Sequence, residues 1–204
     1  TNFRAIATCL LAYICFDLMS VHVRLLSSNY SPQELSVYRN VIGVLPAIFY
    51  MWYSKELSLK ISDYKIEKWK LGILRGLIIA VAQLCFYTAL ANLELATVSA
   101  LGQVSALFIV LLAIFIYKEK VGFWRWTAVI VGFLGATMIM KPGTDIFSWY
   151  SILPICAAFC YASSIVTLRS FKSSVSSAIL FLYSVTSAAF GAMILAFGSI
   201  TFTP

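Results

Sequence analysis

Long apolar stretches alternate with short polar segments along this chain. A helix needs roughly 20 mostly apolar residues to cross the ~30 Å hydrocarbon core of a bilayer. Seven stretches approach that length, at approximately residues 5–23, 36–53, 71–91, 95–116, 124–140, 149–168 and 178–198. Runs such as residues 107–116 do not alternate apolar and polar positions, as a membrane β-strand does. The pattern predicts an all-α membrane protein, a multi-pass transmembrane helix bundle with seven spans in this chain.

The basic residues fall mostly at one side of the predicted bundle. They lie in the first residues, in the loop of residues 54–70, and near residues 118–125 and 169–172, whereas only Arg24 and Lys141 fall in loops on the other side. Cytoplasmic loops have an excess of Lys and Arg. We therefore expect a bacterial inner (plasma) membrane protein with its amino terminus in the cytoplasm. The loop of residues 54–70 is interpreted as a solvated connector, with substrate gating as the alternative.

The composition excludes several other classes of protein. The chain is 61% hydrophobic and 11% charged, against about half apolar and a quarter charged in a soluble domain. The net charge of +7 lies between spans, so it is explained by membrane topology and no nucleic-acid partner is expected. The five cysteines lie within apolar spans and the chain has one histidine. With no phosphate-binding loop or catalytic set recognisable, we expect no enzyme activity, no cofactor and no metal site.

An internal match at an offset of 145 residues joins the segments 12–38 and 157–183. The matched pairs include Cys15 with Cys160, Arg24 with Arg169, Ser31 with Ser176 and Tyr38 with Tyr183. Chance similarity between apolar helices is the alternative, but the match continues through a polar loop. Five spans separate equivalent positions, and this odd number requires the second copy to insert upside down. Inverted repeats with a binding site near the midplane are an architecture of transporters.

A second set of motifs resembles a known family. Residues 117–126 read YKEKVGFWRW, and Gly132, Gly135 and the segment 141–143, KPG, follow them. Arg39, Arg75, the segment 86–90 (FYTAL) and the small residues of 96–100 fit the same order. This combination resembles the EamA family of the drug/metabolite transporter (DMT) superfamily. In that family the position of Glu119 marks the junction between the fourth and fifth helices.

The resemblance implies a fold of ten helices in two inverted five-helix repeats. Residues 1–143 would then be the first EamA repeat, and residues 144–204 the incomplete start of the second, in a carboxy-terminally truncated chain. It implies a secondary active transporter that moves a small polar metabolite (amino acid-like, nucleoside, vitamin or drug) by alternating access. The expected partners are this substrate and the lipid bilayer. The small residues Ala128, Gly132 and Ala136 leave open whether a second helix packs there from the same chain or from a homodimer.

Asp17 is the most distinctive candidate residue, because a carboxylate within a span is costly unless it faces a cavity or a partner. Tyr13, Asp17, Ser20 and Arg24 recur at helical spacing and are predicted to share one face. We interpret Asp17 as a substrate-cavity residue and as a candidate for binding a coupling proton. The alternative is a structural pair between Asp17 and a neighbouring basic residue.

The other candidates are polar or aromatic side chains within the spans, each of which could equally make hydrogen bonds between helices. An inward Arg39 would attract an anionic group, or would pair with Asp17 or Glu34. The full set of substrate-cavity candidates is Tyr13, Asp17, Arg39, Gln83, Tyr87, Ser99, Gln103 and Tyr161.

Two alternative functions remain at this stage. A nucleotide-sugar or phosphate-ester carrier of the same superfamily would need several inward basic residues, of which only Arg39 is a clear candidate. A seven-helix membrane receptor or sensor would fit the odd number of spans, but it would place the amino terminus outside, against the charge distribution.

Overall fold

The computed structural model describes residues 2–54, 66–119, 122–140, 148–171 and 175–197, without the side chains of residues 2–5 and 9. Within these ranges the chain forms eight α-helices and one short 3-10 turn, Trp149–Ser151. The helices are α1 (Asn2–Leu26), α2 (Pro32–Tyr53), α3 (Trp69–Asn92), α4 (Leu95–Gly102), α5 (Ser105–Tyr117), α6 (Phe123–Met140), α7 (Ile152–Leu168) and α8 (Ser177–Leu195). Most of the predicted connector 54–70, together with Lys120, the segment 141–143 and Lys172, lies outside the described residues.

The predicted helical membrane bundle is confirmed. Six segments in the described ranges are long and apolar enough to cross a bilayer, and α4 and α5 together make one of them, Leu95–Tyr117. The remaining helix, α2, has 22 residues but is less apolar, because Arg39 and Asn40 lie in its first half. Large apolar side chains cover the outer surfaces of α1 and α6, where lipid would surround them.

The fourth span differs from its prediction, because residues 95–116 do not form one continuous helix. α4 ends at Gly102 and α5 begins at Ser105. Between them the backbone tightens into 3-10 geometry, with the amide of Val104 donating to the Leu101 carbonyl at 3.1 Å and that of Leu107 to the Val104 carbonyl at 2.9 Å. Glycine has a low helix propensity, which favours a break at this position.

Helix α3 lies at the centre of the bundle and contacts α1, α2, α4, α7 and α8. Its contact with α8 is especially close at Gly76. A Cβ atom there would overlap the Ser187 hydroxyl and would lie 2.7 Å from the Ser184 carbonyl oxygen. Small residues at helix crossings allow this approach, so the α3–α8 contact depends on the absence of a side chain at position 76.

The small residues of α6 pack against the same chain. A Cβ at Gly132 would come within 2.5 Å of Leu107 Cδ1 on α5. Ala136 belongs to a buried cluster with Leu101, Val104 and Ala158. Two positions of the predicted small-residue ridge are therefore used within the chain, and the homodimer stays a prediction.

Contacts at the two ends of α3 fix the directions of α1 and α7. The Arg24 guanidinium, near the end of α1, donates to the carbonyls of Leu90 and Leu93 at the end of α3. Just before the start of α3, Lys68 Nζ donates to the Ser170 carbonyl, just after α7, at 2.8 Å. Hence α1 runs parallel to α3 and α7 runs antiparallel to it, so the two helices of the internal match point in opposite directions.

The helices that follow α1 and α7 begin at equivalent places. α2 begins at Pro32 and α8 at Ser177, 145 residues later. Both have a serine N-cap, where Ser31 accepts from the Glu34 amide and Ser176 from the Ala178 amide. Such caps satisfy amide groups that have no partner within the helix. The offset found in the sequence therefore also separates two equivalent helix starts.

Candidate functional site

A cavity of about 220 Å³ lies between α1, α3, the α4–α5 break and α7. We call it the central cavity. Both helices of the internal match, α1 and α7, contribute to its wall. Its lining consists of Tyr13, Phe16, Asp17, Phe86, Ser99, Gly102, Gln103, Ser105, Pro154, Ala158, Tyr161 and Ile165. Five of the eight predicted candidates, Tyr13, Asp17, Ser99, Gln103 and Tyr161, are thus brought together.

Asp17 is the acidic residue of the central cavity. One helical turn earlier, Tyr13 lines the same cavity, as their spacing of four predicts. No hydrogen bond or ion pair joins Asp17 to another residue in the part of the chain that is described. The alternative of a structural pair with a basic neighbour therefore has no support there. A carboxylate without a protein partner is available to a cation, a proton or a ligand donor group.

The rest of the predicted α1 face has structural contacts instead. Ser20 is buried and donates to the Phe16 carbonyl at 2.9 Å. Arg24 donates to carbonyls at the end of α3, where a cation also interacts favourably with the helix dipole. The predicted face is therefore divided, with its first half lining the cavity and its second half packing against α3.

The α4–α5 break supplies the neutral polar groups of the cavity. Ser99 and Gln103 are four residues apart, and Gly102 and Ser105 flank Gln103. Non-helical backbone at membrane depth is tolerated where it lines a cavity or is buried in protein. In transporters, such broken helices present backbone and side-chain polar groups to substrate or ions. The break therefore gives this wall its hydrogen-bonding capacity.

The two phenylalanines of the wall were not predicted. Phe16 and Phe86 have ring centroids 5.7 Å apart and both line the cavity beside Tyr13 and Tyr161. In the sequence they are indistinguishable from lipid-facing or core phenylalanines. Only their positions in the sequence could have indicated that they line the cavity, because Phe16 adjoins Asp17 and Phe86 begins the FYTAL segment.

Three predicted candidates lie outside the lining of the central cavity. Tyr87 is 1% exposed in a core cluster, with its hydroxyl 3.9 Å from the Met19 sulfur. Gln83 accepts a hydrogen bond from Asn40 Nδ2 at 2.5 Å. Arg39 and Gln83 both line a different cavity. Helical spacing groups residues on a face, but it does not say which neighbouring helix that face meets.

This second cavity, which we call the arginine cavity, has a volume of about 340 Å³ and lies between α2, α3 and α8. Both Arg39 and Arg75 line it. The Arg75 guanidinium is oriented by two further helices, with Nε donating to the Ser164 carbonyl at 3.0 Å and Nη1 donating to the Ser184 hydroxyl. The lining consists of Arg39, Asn40, Gly43, Pro46, Arg75, Ile79, Gln83, Phe181, Ser184, Val185 and Ala188.

The two cavities differ in charge. The central cavity has one carboxylate, neutral polar groups and aromatic rings, without a Lys, Arg or His in its lining. The arginine cavity has two guanidinium groups and no Asp or Glu in its lining. No group of three or more His, Cys, Asp or Glu side chains that could hold a metal ion occurs in the described ranges. The charge distribution favours neutral or cationic ligands in the central cavity.

Apolar helices around a cavity with polar walls define a multi-pass helical membrane protein with a candidate site for a small molecule. Comparison with known protein families identifies the family of this chain. The chain belongs to the EamA-like transporter family, which it matches over residues 3–141. This confirms the resemblance seen in the sequence, including the assignment to the drug/metabolite transporter superfamily.

Three relatives indicate the range of molecules moved by proteins similar to this chain. It is 26% identical to the pseudopaline exporter of Pseudomonas aeruginosa over 160 residues, 78% of this chain and 54% of that protein. It is 27% identical to the S-adenosylmethionine uptake transporter of Rickettsia prowazekii over 165 residues, 79% of this chain and 53% of that protein. A 56-residue segment, 28% of this chain and 19% of the relative, is 43% identical to a riboflavin transporter of Vibrio cholerae.

The chain spans about half the length of the curated relatives that it matches over most of its own length. No solved structure gives a significant match.

Proposed function

We propose that the complete protein is a secondary active transporter that moves a small polar metabolite across the bacterial inner membrane by alternating access. The central cavity is the observation on which this proposal rests. It lies among helices before and after the predicted repeat boundary, and its wall includes a carboxylate within the membrane and a broken helix. Family membership favours this function over that of a seven-helix receptor.

The lining of the central cavity supports a substrate with a flat apolar part and a neutral or cationic polar part. Tyr13, Phe16, Phe86 and Tyr161 offer ring surfaces, and aromatic faces attract both rings and cations. Ser99 and Gln103 offer hydrogen bonds. Amino acid-like compounds, nucleosides, vitamins and drugs include such molecules. The relatives named for riboflavin and S-adenosylmethionine make these two compounds the first probes.

A phosphate ester fits the central cavity less well. Its recognition requires guanidinium or ammonium groups, and both arginines in question, Arg39 and Arg75, lie in the other cavity. The nucleotide-sugar or phosphate-ester carrier is therefore the second candidate, favoured by the arginine cavity alone.

Alternating access would follow from two inverted repeats, residues 1–143 and the segment beginning at residue 144. The opposite directions of α1 and α7 and the equivalent starts of α2 and α8 support this division. The positive charges near Lys68, Lys118 and Arg169 favour a cytoplasmic position for the end of the bundle that contains them. The amino terminus would then also be cytoplasmic.

Asp17 is the residue that we propose for proton coupling. The complete protein would be reconstituted in proteoliposomes, and accumulation of labelled riboflavin, S-adenosylmethionine and a mixture of amino acids and nucleosides would be followed with and without a pH gradient. We expect Asp17→Asn to abolish the response to the gradient, because the amide cannot bind and release a proton. Asp17→Glu should retain part of it.

Glu94→Gln is the matched control, since Glu94 is an exposed acid at the start of α4 outside the cavity lining. A gradient response that is unchanged in Asp17→Asn would contradict proton coupling through this residue. Vesicles that accumulate none of the probes would contradict the proposed substrate class.

A further inference from the structure

We propose that the arginine cavity is a binding site for a small anionic group, a carboxylate or a phosphate, held between Arg39 and Arg75. This site is separate from the central cavity, because the two linings have no residue in common. It does not depend on the proposed transport cycle. The proposal rests on charge, on the geometry of Arg75 and on a neutral donor in the same wall.

Among the described residues, no acidic side chain lines the arginine cavity or pairs with its arginines. In the described ranges the ion pair between Arg169 and Glu119 is the one that the structure contains, and it lies outside this cavity. Glu34, on the same helix as Arg39, accepts hydrogen bonds from the Ser31 amide and hydroxyl at Oε2, and its buried Oε1 has no hydrogen-bond partner among the described residues. It does not line the arginine cavity and forms no ion pair with Arg39 there. Arg39 is exposed, whereas Arg75 is half-buried within the span of α3, where an arginine is costly and is usually paired. Two guanidinium groups on one cavity without an acidic partner therefore favour an anionic ligand.

The orientation of Arg75 leaves donors for such a ligand. A guanidinium has five N–H groups. Its contacts with the Ser164 carbonyl and the Ser184 hydroxyl use two of them and hold the group against α7 and α8. The remaining three have no hydrogen-bond partner among the described residues. A guanidinium held by fixed partners loses little further conformational freedom when it binds a carboxylate or phosphate.

One neutral donor, the side-chain amide of Gln83, completes the wall. Asn40 Nδ2 donates both to the Ser36 carbonyl at 2.8 Å and to Gln83 Oε1 at 2.5 Å. This pair uses the Gln83 oxygen as the acceptor, so the Gln83 NH2 group stays as a donor in the lining. Arg39 is without a hydrogen bond or ion pair to any described residue. Its long side chain is therefore free to close on a bound anion.

The anionic group has two sources that the same chemistry would recognise. It can belong to a soluble metabolite, or to the headgroup of an anionic lipid, because α2 has many exposed apolar side chains beside the cavity. Both sources present oxygen atoms with negative charge to the guanidinium groups. Titration with soluble anions and a comparison of lipid compositions distinguish the two sources.

The test measures binding without transport. The complete protein would be purified in a neutral detergent, and its thermal unfolding midpoint would be followed by tryptophan fluorescence during titration with sodium acetate or inorganic phosphate at constant ionic strength. A ligand that binds the folded state raises the midpoint. A second arm compares nanodiscs of phosphatidylcholine with nanodiscs that also contain phosphatidylglycerol.

We expect a saturable rise with acetate or phosphate if the source is soluble, and a rise with phosphatidylglycerol alone if it is a lipid. Arg39→Gln should weaken either response about tenfold or more, as should Arg75→Gln, because each removes hydrogen bonds from a charged donor. Arg75→Lys should retain part of it. Arg125→Gln, at an exposed arginine near the start of α6, should respond like the wild type.

Two results would overturn the proposal. One is the absence of a saturable rise in the wild type with acetate, phosphate and phosphatidylglycerol alike. The other is an unchanged response in Arg39→Gln, a variant that removes no hydrogen bond or ion pair between described residues and is therefore expected to fold even where Arg75→Gln does not. Because transport is not measured, a failure of the central-cavity proposal leaves this result unaffected.

Discussion

Tyr87 and Tyr161 show how much the surroundings of a residue change its role. Both are tyrosines within membrane-spanning helices, α3 and α7. Tyr161 lines the central cavity. Tyr87 is enclosed by core residues, and the one hydrogen bond of its hydroxyl in the described part of the chain is to the Met19 sulfur, which is a weak acceptor. The same functional group is therefore available to a ligand at one position and not at the other.

Removal of the two hydroxyls should consequently have different effects. Tyr161→Phe should weaken substrate binding in the central cavity about two- to twelvefold, the value of one hydrogen bond of about 0.5–1.5 kcal/mol. Tyr87→Phe should leave substrate binding unchanged, because it keeps the ring that fills the core. The concentration dependence of uptake by the two variants provides the measurement. Equal losses in both would contradict the placement of the binding site.

At the scale of the elements, the packing of α3 against α8 is the contact most sensitive to side-chain size. Gly76 of α3 faces the backbone at Ser184, and Gly191 of α8 faces Leu77 and Ala80 in turn, where a Cβ would lie 2.9 Å from Leu77 Cδ2. This close approach brings α8 near enough for the Ser184 hydroxyl to accept a hydrogen bond from the Arg75 guanidinium. The geometry of the arginine cavity thus depends on two glycines.

Gly76→Ala should therefore destabilise the protein, although alanine is the better helix former. The helix propensity gain of about 1 kcal/mol is opposed by an overpacking cost of about 1–3 kcal/mol, because the Ser184 carbonyl is backbone and cannot rotate away. Gly135→Ala is the matched control, since a Cβ there meets nothing within 4 Å. Thermal unfolding should show a lower midpoint for the first variant and an equal or higher one for the second. The reverse order would refute this packing.

At the scale of the whole molecule, one end of the bundle is closed by contacts between α3, α5 and α7. The Tyr117 hydroxyl donates to the Val166 carbonyl at 3.0 Å, and Arg169 pairs with Glu119 at 2.5 Å. Lys68 reaches the Ser170 carbonyl at the same end. These contacts join helices on either side of the predicted repeat boundary, so they hold closed the end that we propose to be cytoplasmic.

Reversal of the charge at Arg169 should increase the population of molecules in which this end is open. The pair is exposed, so its contribution is about 0.2–1 kcal/mol, which is too small to unfold the protein. An equilibrium between two conformations nevertheless shifts up to about fivefold with such a change. We expect Arg169→Glu to increase the labelling rate of a cysteine placed at Ser105, in a background without native cysteines, by an impermeant maleimide added from that side.

The double variant Glu119→Arg with Arg169→Glu restores opposite charges and should restore the slower labelling. Arg125→Gln again serves as the control for a change in surface charge. If the double variant labels as fast as the single one, the ion pair does not hold this end closed.

The sequence by itself determined the class and much of the architecture. Lipid offers no hydrogen bonds to the backbone, so apolar stretches of this length must be helices, and their order can be read directly. The offset of 145 residues reappears in the starts of α2 and α8. On α1, Tyr13 and Asp17 occupy the cavity together because residues four apart share a helix face.

Only the tertiary structure decided which faces meet. It paired Gln83 with Asn40, enclosed Tyr87 in the core, and brought Arg75 to the cavity that Arg39 lines. It also broke the fourth span between Gly102 and Ser105. Helical periodicity specifies neighbours along one helix, whereas the partner of each face depends on how residues far apart in the chain fit together, as at Gly76 and Ser187. The separation of an acidic cavity from a basic one follows from that packing.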